Sequence, residues 1–376
     1  MAENIVTLPG LIDPHVHFRT PGSGHKENWI TGARAAIAGG FTTVIDMPNN
    51  DPQAIGRAAL AEKRKIIDEQ LRQTGIPLRR YFYLGATADN SNEFKKTRDE
   101  IVGVKLFMGA STGNLLVDRL ADQEKIFQRA AKLDLLVAVH AEDENEIQKQ
   151  KNIITNPTVA DHSKIRSREA AVKAVTQAIE LAKKYGTRLY ICHVSTAEEL
   201  EIIKQAKKQG VKIYAEATPH HLFLNESAYE KLGTLAQMNP PLRSPTDCAA
   251  LWQGIGDGTI DTIGSDHAPH TLEEKSELYP ASPSGVPGIE TTLPLLLTAH
   301  RAGKITLEKI IELTRGNPQK IFNLPKNNDQ IIVDINMEKE VKNANLKTKC
   351  GWSPFAGWKL VGWPIAVIIN NKTFKM

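Results

Sequence analysis

The stretch Pro9-Gly10-Leu11-Ile12-Asp13-Pro14-His15-Val16-His17-Phe18-Arg19 places two histidines and an arginine at alternate positions. If residues 11–18 form a strand, the side chains of His15, His17 and Arg19 project from the same face. Two neutral imidazoles on one face can bind one metal ion, and the arginine adds a cation for an anionic ligand. A His-x-His pair alone is equally well explained by hydrogen-bonded core histidines, so the metal interpretation depends on further ligand-type residues.

Short apolar or β-branched runs alternate with longer segments of helical period along most of the chain. This alternation predicts repeated βα units around a parallel sheet, and eight parallel strands are the number that closes a barrel. The eight runs are residues 11–18, 42–47, 81–86, 103–107, 135–140, 188–193, 212–216 and 259–265. The predicted fold class is therefore α/β, a (β/α)8 TIM-like barrel.

Helical segments are predicted between these runs, at residues 27–38, 56–72, 122–132, 168–184 and 197–208. Several of them stop at glycine, namely Gly39-Gly40, Gly186 and Gly210, where a left-handed C-cap residue is expected. After Asn317-Pro318 the chain becomes polar, with short strands predicted at 330–335 and 365–371. We predict a barrel over residues 9–318 and a small accessory β region from residues 1–8 and 319–376, formed mainly by the C-terminal tail.

The composition excludes several classes of protein. The 376 residues suffice for one large barrel, and their formal net charge of +4 is spread without a basic block, which argues against a nucleic-acid partner. Apolar runs such as 293–297 are too short to cross a membrane, and no secretion signal is recognised. Three cysteines without framework spacing favour a reducing cytoplasm. The expected partner is a small-molecule substrate, and a homodimer is the expected assembly.

Ligand-type side chains recur at the ends of the predicted strands, where catalytic groups of such barrels lie. They are His15, His17, Lys105, His140, His193 and Asp266. Each has a plain alternative: a strand-end histidine is often only hydrogen-bonded, Lys105 can be an ion-pairing lysine, and Asp266 can cap a helix. Their coincidence at one end of one barrel favours a metal site.

Lys105 needs a separate argument, because an ammonium group beside two divalent cations would be strongly repelled. A lysine that has reacted with CO2 carries a carbamate anion, whose two oxygens can bridge two metals. Imidazoles and carboxylate-type oxygens suit Zn²⁺, and two such ions sharing a water would lower its pKa and polarise a carbonyl. Asp266 could ligate one ion and, as the catalytic residue, move the proton to the leaving nitrogen. The predicted reaction is metal-assisted hydrolysis of an unactivated carbonyl compound, or its reverse.

With these residues the chain resembles the amidohydrolase superfamily and, within it, the dihydroorotase family of cyclic amidohydrolases. The matching motifs lie in the expected order at residues 13–19, 47–50, 104–107, 139–142, 192–195, 238–243 and 265–270. The resemblance implies a barrel of the metal-dependent hydrolase type. It also implies the reversible cyclisation of N-carbamoyl-L-aspartate to L-dihydroorotate and water in de novo pyrimidine (UMP) biosynthesis.

The resemblance further implies a role for each residue of the site. One Zn²⁺ would be held by His15, His17 and Asp266, a second Zn²⁺ by His140 and His193, and the two would be bridged by N6-carboxylated Lys105 and a hydroxide. The substrate's carboxylate would be held by Arg19, Asn49 and His270, and its ring would contact Asn239 and the backbone near Pro287-Gly288. A planar guanidinium with amide and imidazole donors gives directional recognition of a carboxylate.

Several of these assignments have alternatives from the sequence alone. Arg19 can form a salt bridge at the rim, and Asn49 can be a turn residue in Pro48-Asn49-Asn50-Asp51. Ser111 and Thr112, in the small-residue loop after Lys105, are candidate lid contacts, although an ordinary βα loop is the plain alternative. His220 and His221 follow the seventh predicted strand and are expected to be structural.

Two other functions stay open at this point. The first is another cyclic-amide hydrolase, of the allantoinase or dihydropyrimidinase type, but neutral substrates would leave a buried Arg19 unpaired. The second is a non-catalytic scaffold of the same fold, against which the complete ligand set argues. One departure from the family concerns the accessory β region: about nine residues precede Gly10, so this region is expected to be reduced or completed differently.

Overall fold

The structure is a computed structural model that describes residues 4–111 and 113–376. The strands of this part of the chain are β1 Ile5–Pro9, β2 Leu11–Val16, β3 Phe41–Asp46, β4 Arg79–Gly85, β5 Gly103–Phe107, β6 Val137–His140, β7 Leu189–Ile191, β8 Ile213–Ala217, β9 Thr262–Ile263, β10 Gln330–Glu340, β11 Lys359–Ile369 and β12 Lys372–Lys375. Strands β2 to β9 lie side by side in chain order and are all parallel. The predicted α/β barrel is confirmed.

The helices of the described chain are α1 Trp29–Ala38, α2 Arg57–Thr74, α3 Glu93–Thr97, α4 Leu120–Lys132, α5 Glu144–Ile153, α6 His162–Ile165, α7 Arg168–Tyr185, α8 Ala197–Lys208, α9 Pro219–Phe223, α10 Ala228–Leu232, α11 Pro245–Asp257, α12 Leu272–Ser276, α13 Thr292–Arg301, α14 Leu307–Ile311 and α15 Asn317–Ile321. A π-helical turn, Glu312–Gly316, joins α14 to α15. None of the described helices has the length and apolar content needed to cross a membrane.

The predicted helices correspond to α1, α2, α4, α7 and α8, with ends displaced by no more than two residues. Gly186 and Gly210 end α7 and α8 with φ of 71° and 80°, as the C-cap argument expects. In the Gly39-Gly40 pair, Gly39 is right-handed and only Gly40 takes the left-handed conformation, with φ of 83°. The left-handed turn that ends α1 is therefore at the second glycine of the pair.

The barrel closes through residues that follow β9. The backbone N–H of His17 donates to the carbonyl of His267 at 2.8 Å, and Val16 forms a parallel bridge with His267. At the opposite end, Phe322 packs edge-on against Tyr83 and Tyr190, with ring centroids 5.9 and 5.1 Å apart. The barrel interior is therefore a packed core with one open end, where the first and last strands bring residues 13–19 beside residues 265–270.

A second sheet, with strand order β1-β10-β11-β12, is antiparallel throughout. The predicted strands at 330–335 and 365–371 lie in β10 and β11, which are longer because each pairs along much of its length with the other. Strand β12 was not predicted. The sheet is joined to the barrel by a hydrogen bond from the Gly10 N–H to the Asp329 carbonyl, 2.8 Å, and one from Arg315 Nη1 to the Gly10 carbonyl, 2.9 Å.

A buried ion pair supports the strands beneath the open end. Nζ of Lys63, on α2, lies 2.5 Å from Oδ2 of Asp46, at the end of β3, and both side chains are almost completely buried. Lys63 also donates to the Met47 carbonyl at 2.8 Å, and Oδ1 of Asp46 accepts the Phe18 N–H at 2.9 Å. Burial raises the pKa of Asp46 and lowers the pKa of Lys63, so each charge depends on the other.

Lys63→Met should lower the free energy of unfolding by about 3–5 kcal/mol, because it leaves the Asp46 carboxylate buried without a partner. The double variant Lys63→Met with Asp46→Asn removes both charges and keeps an acceptor for the Phe18 N–H, so it should recover most of that loss. Urea unfolding followed by circular dichroism measures both. A single variant as stable as the parent protein would show that the pair contributes nothing.

Candidate active site

The predicted site residues meet in one narrow cavity at the open end of the barrel. Its lining consists of His15, His17, Arg19, Asn49, Lys105, Phe107, Ser111, His140, His193, Asn239, Asp266, Ala268, Ser284 and Gly285. The set contains all six predicted metal ligands together with four of the predicted substrate or lid residues. A wider surface depression lies at the opposite end of the barrel and has neither histidine nor cysteine in its lining.

The first half of the candidate metal site is formed by His15, His17 and Asp266. Nε2 of the two histidines lies 3.3 and 3.1 Å from Oδ1 of Asp266. The other ring nitrogens face oxygens: Nδ1 of His15 is 2.7 Å from Oε1 of Glu216, and Nδ1 of His17 is 2.8 Å from Oδ1 of Asn49. Oxygen acceptors place the proton on Nδ1 and leave the Nε2 lone pair directed at the site, which is the arrangement of a metal-binding histidine.

The second half is formed by His140 and His193. Nδ1 of His140 and Nε2 of His193 face each other at 3.0 Å, and both rings are buried. Nε2 of His140 lies 2.8 Å from Oε2 of Glu142, which in turn accepts from Nε of Arg166 at 3.0 Å. The Glu142 carboxylate therefore holds the proton of His140 on Nε2. The inner nitrogens, Nδ1 of His140 and Nε2 of His193, then converge on one point. This convergence fits a metal ion as well as it fits a shared proton.

Lys105, on β5, is completely buried between the two halves. Its Nζ donates to Sγ of Cys192 at 2.9 Å and lies 5.1 Å from the centroid of the Phe107 ring. These partners are a thiol and an aromatic ring, whereas buried lysines are normally paired with carboxylates. The environment of Lys105 is therefore unusual for an ammonium group.

The backbone is strained at three positions of the site. Arg19, His193 and Asp266 have positive φ, of 57°, 39° and 44°. A positive φ costs a non-glycine residue about 1–3 kcal/mol. Such residues occur where the surrounding structure imposes this backbone conformation, often at functional sites. Each position lies two or three residues after the end of a barrel strand, and each side chain lines the cavity.

Burial and neighbouring charges set the ionisation of the ligand-type residues. Burial lowers the pKa of His17 to about 3 and lowers the pKa of both His140 and His193 below the usual range, so these rings are neutral. Burial alone would lower the pKa of His15, but Glu216 and Asp266 outweigh it and raise that pKa. Burial alone would raise the pKa of Asp266, but His15 and His17 outweigh it and keep the group ionised. Neutral imidazoles and an ionised carboxylate are the forms that bind metals, so His17, His140, His193 and Asp266 are already in that form. His15, whose pKa is raised, would give up its additional proton when a metal binds.

Arg19 carries the positive charge of the cavity wall. It is 5% exposed, its Nε donates to the Pro269 carbonyl at 3.1 Å, and its Nη2 lies 3.1 Å from Nε2 of His270. Burial lowers its pKa to about 10, so the guanidinium is still charged at neutral pH. The alternative of a rim salt bridge is not observed among the described residues, in which the polar neighbours of the guanidinium are a carbonyl and an imidazole. The cavity therefore presents a buried cation to any ligand.

Three predicted substrate contacts lie elsewhere than expected. His270 is fully buried behind Arg19 and does not line the cavity. Pro287 and Gly288 line a separate narrow cavity, where the Gly288 N–H faces Nδ1 of His267 at 3.2 Å. The reason is a bridge between His267 and Val286, which turns the preceding residues Ser284 and Gly285 towards the cavity instead. The predicted contact between the backbone at Pro287-Gly288 and the substrate ring stays a prediction.

The rim residues Ser284 and Gly285 were missed by sequence reasoning. Gly285 has φ of 140°, and a Cβ atom there would lie 2.5 Å from the Ala268 carbonyl oxygen, so only glycine fits. The Ser-Gly pair after Pro283 was the available signal for a tight loop. Ser111 lines the cavity as predicted for a lid residue, whereas Thr112 lies outside the described residues.

The partners of the ligand-type residues were also missed. Glu142 stands two residues after His140 in a motif that sequence analysis had singled out, while Glu216, at the end of β8, carried no signal of its own. His15 also belongs to a second group of ligand-type atoms, with Cys192 and Glu216.

His221 makes structural contacts, as predicted: Nδ1 is 2.7 Å from Oγ1 of Thr218, and Nε2 is 3.1 Å from the Pro240 carbonyl.

The comparison with protein families agrees with this geometry. Residues 6–333 match the model of the amidohydrolase family, and the chain therefore belongs to that family. Its members include proteins that this chain resembles over nearly its whole length and that are named dihydroorotase. One, from Methanosarcina acetivorans, is 38% identical, over 96% of this chain and 80% of the relative. Another, from Bacillus cereus, is 35% identical, over 97% of this chain and 86% of the relative.

A solved structure with the same fold belongs to a different cyclic-amide hydrolase. The L-hydantoinase (dihydropyrimidinase) from Arthrobacter aurescens superimposes with a TM-score of 0.92 and is 28% identical, over 98% of this chain and 84% of that chain. The predicted family and barrel type are thus confirmed. The choice between an acidic and a neutral cyclic substrate rests on the residues of the cavity.

Proposed function

We propose that this protein is a metal-dependent hydrolase that interconverts L-dihydroorotate and N-carbamoyl-L-aspartate, the reaction of dihydroorotases in pyrimidine biosynthesis. One observation carries the proposal: the buried guanidinium of Arg19 faces the same narrow cavity as six ligand-type side chains. Relatives named dihydroorotase, 35–38% identical over nearly the whole chain, support it. A cyclic amide that carries a carboxylate matches both the ligand-type side chains, through its amide, and the Arg19 cation, through its carboxylate.

The residues present fit two metal ions, and we propose Zn²⁺ because imidazole and carboxylate ligands suit it. His15, His17 and Asp266 would hold one ion, and His140 and His193 the other. Support comes from the Nε2 atoms of His15 and His17 directed at Asp266 and from the inner nitrogens of His140 and His193, 3.0 Å apart. When bound, the ions would supply an activated water and polarise the ring carbonyl.

We also propose that Lys105 is carboxylated. Its neutral amine would add to CO2, forming an N–C bond and releasing one proton, and the resulting carbamate anion would bridge the two ions. The contacts of Nζ with the Cys192 thiol and the Phe107 ring support this, because an unmodified ammonium there has no carboxylate partner among the described residues. The modification replaces a buried positive charge by an anion at the centre of the ligand set.

The chain's own side chains would bind the substrate and move its proton. The guanidinium of Arg19 would bind the carboxylate that is retained in the ring, and Asn49 would add to this contact while orienting His17. In hydrolysis a water adds to the ring carbonyl and the ring C–N bond breaks. Asp266, kept ionised by His15 and His17, would accept the proton from the water and return it to the leaving nitrogen.

A panel of three cyclic amides tests the proposal. Purified protein should hydrolyse L-dihydroorotate with a kcat/KM at least about 100-fold higher than for dihydrouracil or allantoin, because neutral rings leave Arg19 unpaired. Ring closure consumes a proton, so the equilibrium should shift towards dihydroorotate as the pH falls. Equal or faster turnover of dihydrouracil would favour the second candidate, a dihydropyrimidinase, which the likeness to the L-hydantoinase structure supports.

Other predictions from the sequence stay predictions. These are the homodimer, the cytoplasmic location, the lack of a nucleic-acid partner and the division of the chain at residues 8–9 and 318–319.

A further inference from the structure

The ring of His270 connects Arg19 to a lysine outside the cavity. On one side, Nε2 of His270 lies 3.1 Å from Nη2 of Arg19 and 3.1 Å from the carbonyl of Ser284. On the other side, Nδ1 lies 3.1 Å from Nζ of Lys26. The Lys26 side chain is 14% exposed, and Nζ is 2.9 Å from Oε1 of Glu274.

The chemistry of these contacts selects one tautomer of His270. Ammonium and guanidinium groups only donate hydrogen bonds, so the neutral ring can accept from only one of its two cationic neighbours. It accepts from Lys26 when the ring proton is on Nε2, and from Arg19 when the proton is on Nδ1. Burial, followed by the charges of Arg19 and Lys26, lowers the pKa of His270, so the ring is neutral. With the proton on Nε2 the ring makes two hydrogen bonds of ordinary length: Lys26 donates to Nδ1, and the Nε2–H donates to the Ser284 carbonyl.

The opposite tautomer forms fewer hydrogen bonds. A proton on Nδ1 would face the Lys26 ammonium, and the nearby carboxylate oxygen, Oε2 of Glu274, is 3.6 Å away, too far for a hydrogen bond. The Ser284 carbonyl would lose its donor from the ring. Nε2 would then accept a hydrogen bond from Nη2 of Arg19, and this N–H of the guanidinium would not be available to the substrate.

We propose that Lys26 is a positioning residue for substrate binding, which it serves by holding His270 as the Nε2–H tautomer. In that form His270 fixes the Ser284 carbonyl at the cavity rim, and it leaves Nη2 of Arg19 available to the substrate's carboxylate. The proposal rests on the proposed function, since it assigns Lys26 to recognition of the same acidic ring. The plain alternative is that Lys26 and Glu274 form an ordinary surface ion pair, which contributes little.

Steady-state kinetics test the effect on binding. Lys26→Met should raise KM for L-dihydroorotate about tenfold, the loss expected for one hydrogen bond, while kcat changes little. Lys26→Arg, which still donates, should restore most of the parent KM. The matched control is Lys204→Met, because Lys204 forms a comparable exposed pair with Asp257, 2.6 Å apart, on the outside of the barrel. A KM for Lys26→Met no higher than that of the control would overturn the proposal.

A second measurement does not depend on the substrate. In protein labelled with ¹⁵N-histidine, the ring nitrogen shifts report the tautomer, and the His270→Gln spectrum identifies His270 among the 11 histidines. The parent protein should show the Nε2–H form, and Lys26→Met should show a shift towards Nδ1–H. An Nδ1–H ring in the parent protein would refute the inference even if dihydroorotate is turned over. If dihydroorotate is not turned over, the proposed function fails, while this spectrum still tests the tautomer.

Discussion

Lys105→Ala protein should retain little bound metal and lose nearly all turnover of dihydroorotate, by a factor of about 10³ or more, because several kcal/mol of charge stabilisation depend on the metal pair. Alanine removes the proposed bridging anion and leaves the His15 and His140 halves of the site without their common ligand. Metal content by mass spectrometry of chelator-free preparations and kcat measured on the same sample give the result.

Lys63→Met is the matched control for that variant, because Lys63 is also a fully buried lysine but pairs with Asp46 and not with the ligand set. It should lower stability while retaining the metal of the parent protein at a temperature where the variant is folded. Full metal content and full turnover in Lys105→Ala would exclude Lys105 as a bridging ligand.

Arg19→Gln should raise KM for dihydroorotate by about 10²-fold, since a charge-assisted contact to a buried partner contributes about 2–5 kcal/mol. The value of kcat should change much less, because the guanidinium binds the retained carboxylate and does not touch the bond that breaks. The measurement is steady-state kinetics in both directions of the reaction.

Arg19→Lys is the informative companion, because it keeps the charge and loses the planar fork, so its KM should lie between those of the parent protein and Arg19→Gln. Arg19 has φ of 57°, and glutamine and lysine meet the same backbone strain, so strain does not distinguish the two variants. An unchanged KM in Arg19→Gln would count against recognition of a carboxylate at this position.

Local sequence signals located some of the barrel strands well. Strand β5 has the predicted bounds, residues 103–107. The last predicted strand, 259–265, is reduced to Thr262–Ile263, because closure of the barrel uses His267 beyond the strand and not a continuous ladder. The length of a strand depends on its partner, which no local pattern contains, and the same reason explains why β10 and β11 are longer than predicted.

The candidate site was predictable to the extent that its residues end strands. His15 and His140 lie at or near the ends of their strands, and Lys105 lies within β5. His17, His193 and Asp266 lie just beyond theirs, and parallel strands bring their carboxyl ends together. The direction of loop residues was not predictable: Pro287 and Gly288 share a loop with Ser284 and Gly285, yet only the latter pair lines the cavity. That choice depends on the bridge between His267 and Val286, a contact between distant loops.

The central claim is that metal ions bound by the convergent side chains act on an acidic cyclic amide. Its most direct test is a titration of metal-depleted protein with Zn²⁺, in which bound metal and hydrolysis of L-dihydroorotate are measured in the same samples. We expect no turnover without metal, and turnover that rises with bound Zn²⁺ until two ions are held per chain. Full turnover by metal-depleted protein, or two bound ions with no turnover, would contradict the account.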